Sequence, residues 1–175
     1  MQKGKWAAMT ILETARLRIR EFTTDDTLLV MQYSQEPCKR AELPDEVFET
    51  WEDAVKQVDM CIGNYAKKKY PLVYGIEAKE TGTLIGDILL CPIPEGIEVG
   101  YAVSEKYQGH GYAAEALAPF AGWAKQTLGL STLYGEAKKS NIASWRTLEK
   151  AGFSFSHEKE LDFFGETPMF KVYRC

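Results

Sequence analysis

Apolar and polar positions along the chain follow two periods. Leu17, Ile19 and Phe22 alternate with Arg18, Arg20 and Glu21, which predicts a half-exposed first strand. Thr23-Thr24-Asp25-Asp26 joins an N-cap hydroxyl to first-turn acids and predicts a helix start, with Leu28, Leu29 and Met31 carrying the helix to Ser34. Gln35 to Pro44, with two prolines, reads as a loop. Asp45 to Lys69 reads as a second helix, because Val47, Trp51, Ala54, Val55, Val58 and Ile62 fall on one face; Gly63-Asn64 offers an earlier stop. Leu72–Ala78 and Leu84–Cys91 read as a hairpin around Lys79–Gly82. Next, Ile97, Val99, Tyr101 and Val103 alternate with Glu98, Gly100 and Ala102 in a two-sided strand. Tyr112 to Leu128 reads as a helix bent at Pro119. Leu130–Ala137 is then a strand, Asn141–Ala151 a helix, and Phe153–Leu161 with Pro168–Arg174 a final hairpin. The predicted order is β-α-α-β-β-β-α-β-α-β-β.

Composition narrows the class. A chain of 175 residues suits one domain with one core. Residues 1–13 read as an N-terminal extension, patternless over Met1–Ala8 and with Met9 as an alternative start, and 14–175 as the domain. The net charge of −4 argues against nucleic acid as main partner. No apolar run approaches the roughly 20 residues of a spanning helix, so no membrane is expected. Cys38, Cys61, Cys91 and Cys175 are scattered, there is no secretory leader, and the expectation is free thiols in a cytoplasmic protein, monomer or homodimer. No His/Cys/Asp cluster has metal-ligand spacing, so no metal is expected.

The chemistry concentrates in Gln108-Gly109-His110-Gly111-Tyr112-Ala113, between a predicted strand and a predicted helix. Two glycines there allow a tight turn that gathers backbone N–H groups, and the helix start adds unpaired N–H groups and a positive dipole end. The product is a cradle for phosphate or pyrophosphate; the alternative is a glycine turn without a ligand. The spacing is neither G-x-G-x-x-G nor a Walker A loop. The Q-x-x-G-x-A form resembles the acetyl-CoA signature of the GNAT N-acetyltransferases. Asn141-Ile142-Ala143-Ser144 followed by Glu149-Lys150-Ala151-Gly152-Phe153 is similar to the ribosomal-protein N-terminal acetyltransferases of the RimJ/RimL type, as is Thr14-Ala15-Arg16-Leu17-Arg18-Ile19-Arg20. The resemblance runs from Thr14 to the C-terminus and is weakest between Tyr33 and Tyr70.

That resemblance implies the GNAT fold: α+β in three layers, a mixed sheet of about seven strands with about four helices. It implies acetyl-CoA as co-substrate, its pantetheine arm between Ile97–Val103 and Thr132–Ala137. Gln108, Gly109, His110, Gly111, Tyr112 and Ala113 would wrap the pyrophosphate. Val99, Tyr101 and Val103 would line the cofactor, with an N–H near Val99–Tyr101 for the oxyanion. Asn141 would bond the pantetheine arm, a role compatible with a helix N-cap. Many relatives place a tyrosine acid seven residues after this asparagine; here that position is Leu148. The subgroup instead has a serine at Ser144, one helical turn past Asn141, placed to bond the departing sulfur; the alternative is an ordinary first-turn serine.

The reaction is attack of a neutral amine on a thioester. An α-amine, with a pKa near 7.7–8.0, needs only a weak base, whereas a lysine amine near 10.4 needs more help. Glu98 is the candidate base, since it projects from its strand opposite Ile97, Val99 and Tyr101 near the glycine loop; the alternative is a strand glutamate with no role. His110 is either a phosphate contact or an exposed loop residue. The expectation is an N-acetyltransferase acting by direct transfer in a ternary complex, first on a protein N-terminus. The rivals are a small-amine acetyltransferase (polyamine, amino acid, antibiotic), a non-catalytic acyl-CoA-binding module and, more distantly, a nucleotide-binding protein.

Overall fold

The computed structural model describes residues 8–175. Strand β1 (Thr10–Glu13) leads into β2 (Leu17–Arg20), helix α1 (Thr27–Ser34), a short helix α2 (Pro37–Glu42) and α3 (Trp51–Tyr65). Then come β3 (Leu72–Ala78), β4 (Thr83–Ile93), β5 (Gly96–Val103), α4 (Tyr112–Leu128), β6 (Tyr134–Lys138), α5 (Ile142–Lys150), β7 (Ser154–Glu160) and β8 (Met169–Arg174). The eight strands form one mixed sheet in the order β1-β2-β3-β4-β5-β6-β8-β7. All recorded pairings are antiparallel except β5 with β6. An α+β fold with helices on both faces is what the alternating periods predict.

Two elements exceed the prediction. Strand β1 falls in the stretch assigned to the N-terminal extension, yet Thr10–Glu13 pairs along Arg18–Arg20; the rest of that stretch, residues 1–7, lies outside the described residues. Helix α2 occupies the predicted loop. Pro37 starts it, where a missing N–H costs nothing, and Glu36 anchors it by accepting from Ser104 Oγ at 2.6 Å and Glu105 N–H at 2.8 Å. The sheet therefore has eight strands instead of about seven, and there are five α-helices instead of about four.

Helix α3 begins six residues after the expected Asp45 because Thr50 caps it: Thr50 Oγ1 accepts the Asp53 N–H at 3.2 Å. It ends at Tyr65, before Lys67–Lys69. Its start, Trp51, is expected on the helix's apolar face but lies largely in solvent. Strand β6 starts at Tyr134 instead of Leu130, and α4 continues through Pro119 to a left-handed Gly129 cap.

One face of the sheet packs Ile88, Leu90 and Val99 against Ala116, Leu117, Phe120 and Ala124 of α4. The other packs Val73 and Leu84 against Val30 and Tyr33 of α1 and Val58 and Cys61 of α3. On this second side Arg20 binds Asp26 through both terminal nitrogens at 2.8 Å and Glu77 through Nε at 2.6 Å. No helix among the described residues is long and apolar enough to cross a membrane.

Candidate active site

Among the described residues, strands β5 and β6 are the only parallel neighbours, and they share a single registered pair, Glu98 with Tyr134. Beyond that pair they part. A groove of about 1200 Å3 opens between them, lined by Val99, Gly100, Tyr101, Ala102 and Val103 on one wall and Ala137 and Lys138 on the other. Ser144, Asn141, Gln108, Gly109, Gly111, Tyr112 and Ala113 line the same groove.

The glycine loop has the geometry of an anion cradle. Gly109 (φ 78°) and Gly111 (φ 79°) are left-handed, and Gly111 caps α4. The helix begins at Tyr112, so its first N–H groups lack intrahelical partners and face the groove mouth with the positive dipole end. Gln108 does not extend outward: its Nε2 donates to Val103 O at 2.8 Å and approaches Cys38 Sγ at 3.5 Å, tying the loop to β5 and α2. Arg16 braces the loop from behind. It donates to His110 O at 3.0 Å, pairs with Glu115 at 2.6 Å and lies 4.4 Å over the Tyr112 ring. Thr14 Oγ1 donates to the same Glu115 at 2.5 Å. The Thr14-Ala15-Arg16 signal is therefore a brace for the cradle.

Asn141 is the N-cap of α5: its Oδ1 accepts the Ser144 N–H at 3.1 Å, and its Nδ2 lies 3.4 Å from Glu42 of α2. Across the groove, the Tyr101 hydroxyl donates to Ser144 O at 2.7 Å and lies 3.3 Å from Ser144 Oγ. Burial pushes the Tyr101 phenol up to about 12, against hydrogen bonds with Ser144 and Thr147, so it stays protonated. Leu148 is 1% exposed and packs over Gly135, where a Cβ would come within 2.4 Å of it. A hydroxyl thus reaches Ser144 from strand β5, while the expected tyrosine position on α5 is core.

Glu98 lies where the strands part. Its Oε1 accepts the Glu136 N–H at 3.2 Å. Burial pushes its carboxyl up to about 7 and the Glu136 charge adds to this, against that N–H and the Lys159 ammonium. Its face also carries Asp87, which accepts from the Tyr33 hydroxyl and lies 3.6 Å from Lys39 Nζ. Lys39, 5% exposed, also pairs with Glu46. Burial pulls the Lys39 ammonium down, but Asp87 and Glu46 outweigh it and the net direction is up. Helix α2 spans the opening as a strap, bonded through Glu36 and Cys38 to the end of β5 and through Glu42 to Asn141 and Lys138. A side pocket of about 570 Å3 opens between Leu43, Asp45, Glu46 and the 162–165 turn, with Asp162, Phe163 and Phe164.

The structure brings Glu98, Val99, Tyr101, Val103, the 108–113 loop, Asn141 and Ser144 to one groove; the His110 side chain is the one member not among its lining. Sequence reasoning missed the Tyr101 hydroxyl, the Glu136–Lys159 pair, the Lys39 cluster and the α2 strap. The alternation in Tyr134–Lys138 could have placed Glu136 on a strand face; nothing local marks the others, most of whose partners, such as Ser144 for Tyr101 and Asp87 for Lys39, lie tens of residues away.

Residues 16–154 match the acetyltransferase (GNAT) domain family, well over half of the chain. The chain belongs to this family. Among GNAT relatives it is 29% identical over 143 residues to the uncharacterized N-acetyltransferase YnaD of Bacillus subtilis (strain 168), covering 81% of each chain. A GNAT-family acetyltransferase from Bacillus anthracis superimposes with a TM-score of 0.82 at 23% identity, covering 95% of this chain and 98% of that one. RimL, the ribosomal L7/L12 α-N-protein acetyltransferase in complex with coenzyme A, does so with a TM-score of 0.82 at 16% identity, covering 95% and 97%. At these identities the two structures establish the shared fold. The chain is an acetyltransferase.

Proposed function

We propose that this chain transfers an acetyl group from acetyl-CoA to a free α-amine at a protein N-terminus, within a ternary complex. The observation that carries the proposal is Glu98: a half-buried carboxyl lining the groove, its proton affinity raised to about 7, beside the gap between β5 and β6. Such a base suits an amine that titrates near 7.7–8.0 better than one near 10.4. The RimL structure, an α-N-protein acetyltransferase with coenzyme A, supports the choice of cofactor and acceptor.

The residues divide the work. N–H groups of the 109–113 loop and the start of α4 bind the pyrophosphate, with Arg16 holding the loop in shape. Edge groups of Val99–Val103 hold the pantetheine arm and meet the oxyanion. Asn141 fixes the first turn of α5 and presents Ser144. Glu98 takes the proton the amine loses as its nitrogen attacks the carbonyl carbon. Ser144, held by Tyr101, donates a hydrogen bond to sulfur as the C–S bond breaks. No group of His, Cys, Asp and Glu among the described residues is arranged to hold a metal, and the sequence from 14 to 175 acts as one catalytic unit.

A compact cationic amine is the second reading. The carboxylates of Asp45, Glu46 and Asp162 around the side pocket favour it. Thiol release with Glu98→Gln beside wild type tests the core of the proposal. Loss of turnover with unchanged acetyl-CoA affinity is expected; full activity in the variant would remove Glu98 as base. Acetyl-CoA binding with no release from any amine would favour a non-catalytic binding module.

A further inference from the structure

Glu98 is not tuned by burial alone. The charged and titratable groups facing it are Cys91 from β4, Glu95 from the β4–β5 turn, Tyr101 on its own strand, Glu136 from β6 and Lys159 from β7. Glu46 near Cys91 and His157 near Glu95 lie one neighbour further out. Three of these groups form a chain. Lys159 Nζ lies 2.6 Å from Glu136 Oε1 and 2.7 Å from Glu95 Oε1, and only 18% of its side chain is exposed. The Glu136 contact is ionic, since Oε1 is buried and makes no well-aligned hydrogen bond. Glu136 in turn donates its backbone N–H to Glu98.

Like charges in a poorly hydrated pocket raise one another's proton affinity. Glu95 and Glu136, left unpaired, would both push Glu98 toward the protonated acid, which cannot accept a proton. Among the described residues, Lys159 is the one cation paired with both. We propose that Lys159 is a positioning residue for Glu98: by bridging Glu95 and Glu136 it holds the Glu136 segment against the Glu98 carboxylate, offsets the neighbouring negative charge, and so sets the pH range over which Glu98 takes up a proton. This role rests on the assignment of Glu98 as base and adds a residue from the distant β7 edge to the site.

The two members of the ion pair predict opposite signs. Lys159→Met leaves Glu136 uncompensated and moves Glu98 ionisation to higher pH. Glu136→Gln removes the like charge, keeps the backbone N–H and moves it to lower pH. Each shift is expected at about half to one pH unit, the scale of one partly screened charge. Lys159→Arg restores most of the wild-type profile. A purely structural role for the pair would lower activity in both variants without opposite displacements.

The measurement is carbon-13 NMR titration of the Glu98 carboxyl in the free protein, with the resonance identified by its loss in Glu98→Gln. It is run beside kcat at saturating acetyl-CoA and amine from pH 5 to 9. Opposite displacements of the Glu98 titration, followed by the acid limb of kcat, support the inference. Opposite displacements of the titration with an unmoved kcat limb still support Lys159 as the group that sets Glu98, while the base assignment falls. Unchanged titrations, or displacements of the same sign in both variants, overturn it.

Discussion

The half of the molecule that the proposal assigns to the cofactor and the half that it assigns to the acceptor are built by different means. On the cofactor side, backbone does most of the work: left-handed Gly109 and Gly111, a helix start at Tyr112, an Asn141 cap and a parted parallel pair of strands. On the acceptor side, buried side-chain charges hold the structure: Arg20 between Asp26 and Glu77, and Lys39 between Asp87 and Glu46 under the α2 strap. Backbone devices leave a local signature of glycine, Asn and spacing. Charge clusters also draw on partners from separate elements, Glu77 for Arg20 and Asp87 for Lys39, and nothing local marks those. On that proposal the contrast also separates roles: the backbone cradle would take any pyrophosphate, whereas the charged chamber would discriminate among acceptors.

The sharpest way to break this contrast is at the boundary between the halves. Glu98→Gln should lower kcat by about 10²–10⁴, the range for loss of a general base, with acetyl-CoA affinity unchanged by calorimetry. In wild type, kcat should fall as pH drops through about 7, because protonated Glu98 cannot accept a proton, and the variant should lack that limb. On the acceptor side, Lys39→Met leaves the buried Asp87 without its cation and beside the partly exposed Glu46, and should cost about 3 kcal/mol in urea unfolding. An unchanged midpoint would show that Lys39 does not hold that half together. On the cofactor side, Gly111→Trp forces a side chain onto φ 79° inside the cradle. Backbone strain of about 1–2 kcal/mol alone predicts roughly a tenfold loss of acetyl-CoA affinity, and the ring's bulk adds to it. The smallest effect is expected for Ser144→Ala. A thiol with a pKa of roughly 8.5 leaves readily, so turnover should fall by about tenfold or less, and more with thioesters of poorer leaving groups.

The same contrast explains what the sequence made legible. Strand and helix periods located seven strands and four helices because each carries its own alternation or stripe. Strand β1 was missed because Thr10–Glu13 is four residues long and is fixed by its pairing with β2. Helix α2 was missed because Pro37–Glu42 has no apolar stripe and is held by Glu36, Lys39 and Glu42 reaching other elements. Within the site, the glycine loop and Glu98 could be named from spacing and alternation, and Asn141 and Ser144 from the resemblance to the ribosomal-protein acetyltransferases. That Tyr101 reaches Ser144, and that Lys159 reaches Glu136, depends on how elements 43 and 23 residues away come to lie, which no local pattern encodes.

The most direct test of the central claim is release of CoA thiol from acetyl-CoA against a panel of amines. The panel would hold peptides with free N-termini and varied first residues, lysine peptides blocked at the N-terminus, polyamines and aminoglycosides. Release with free α-amines, abolished by Glu98→Gln and absent with blocked lysine peptides, is the predicted result. Release confined to polyamines or aminoglycosides would contradict the N-terminal acceptor. No release with any amine, while acetyl-CoA still binds, would contradict the proposed transfer itself.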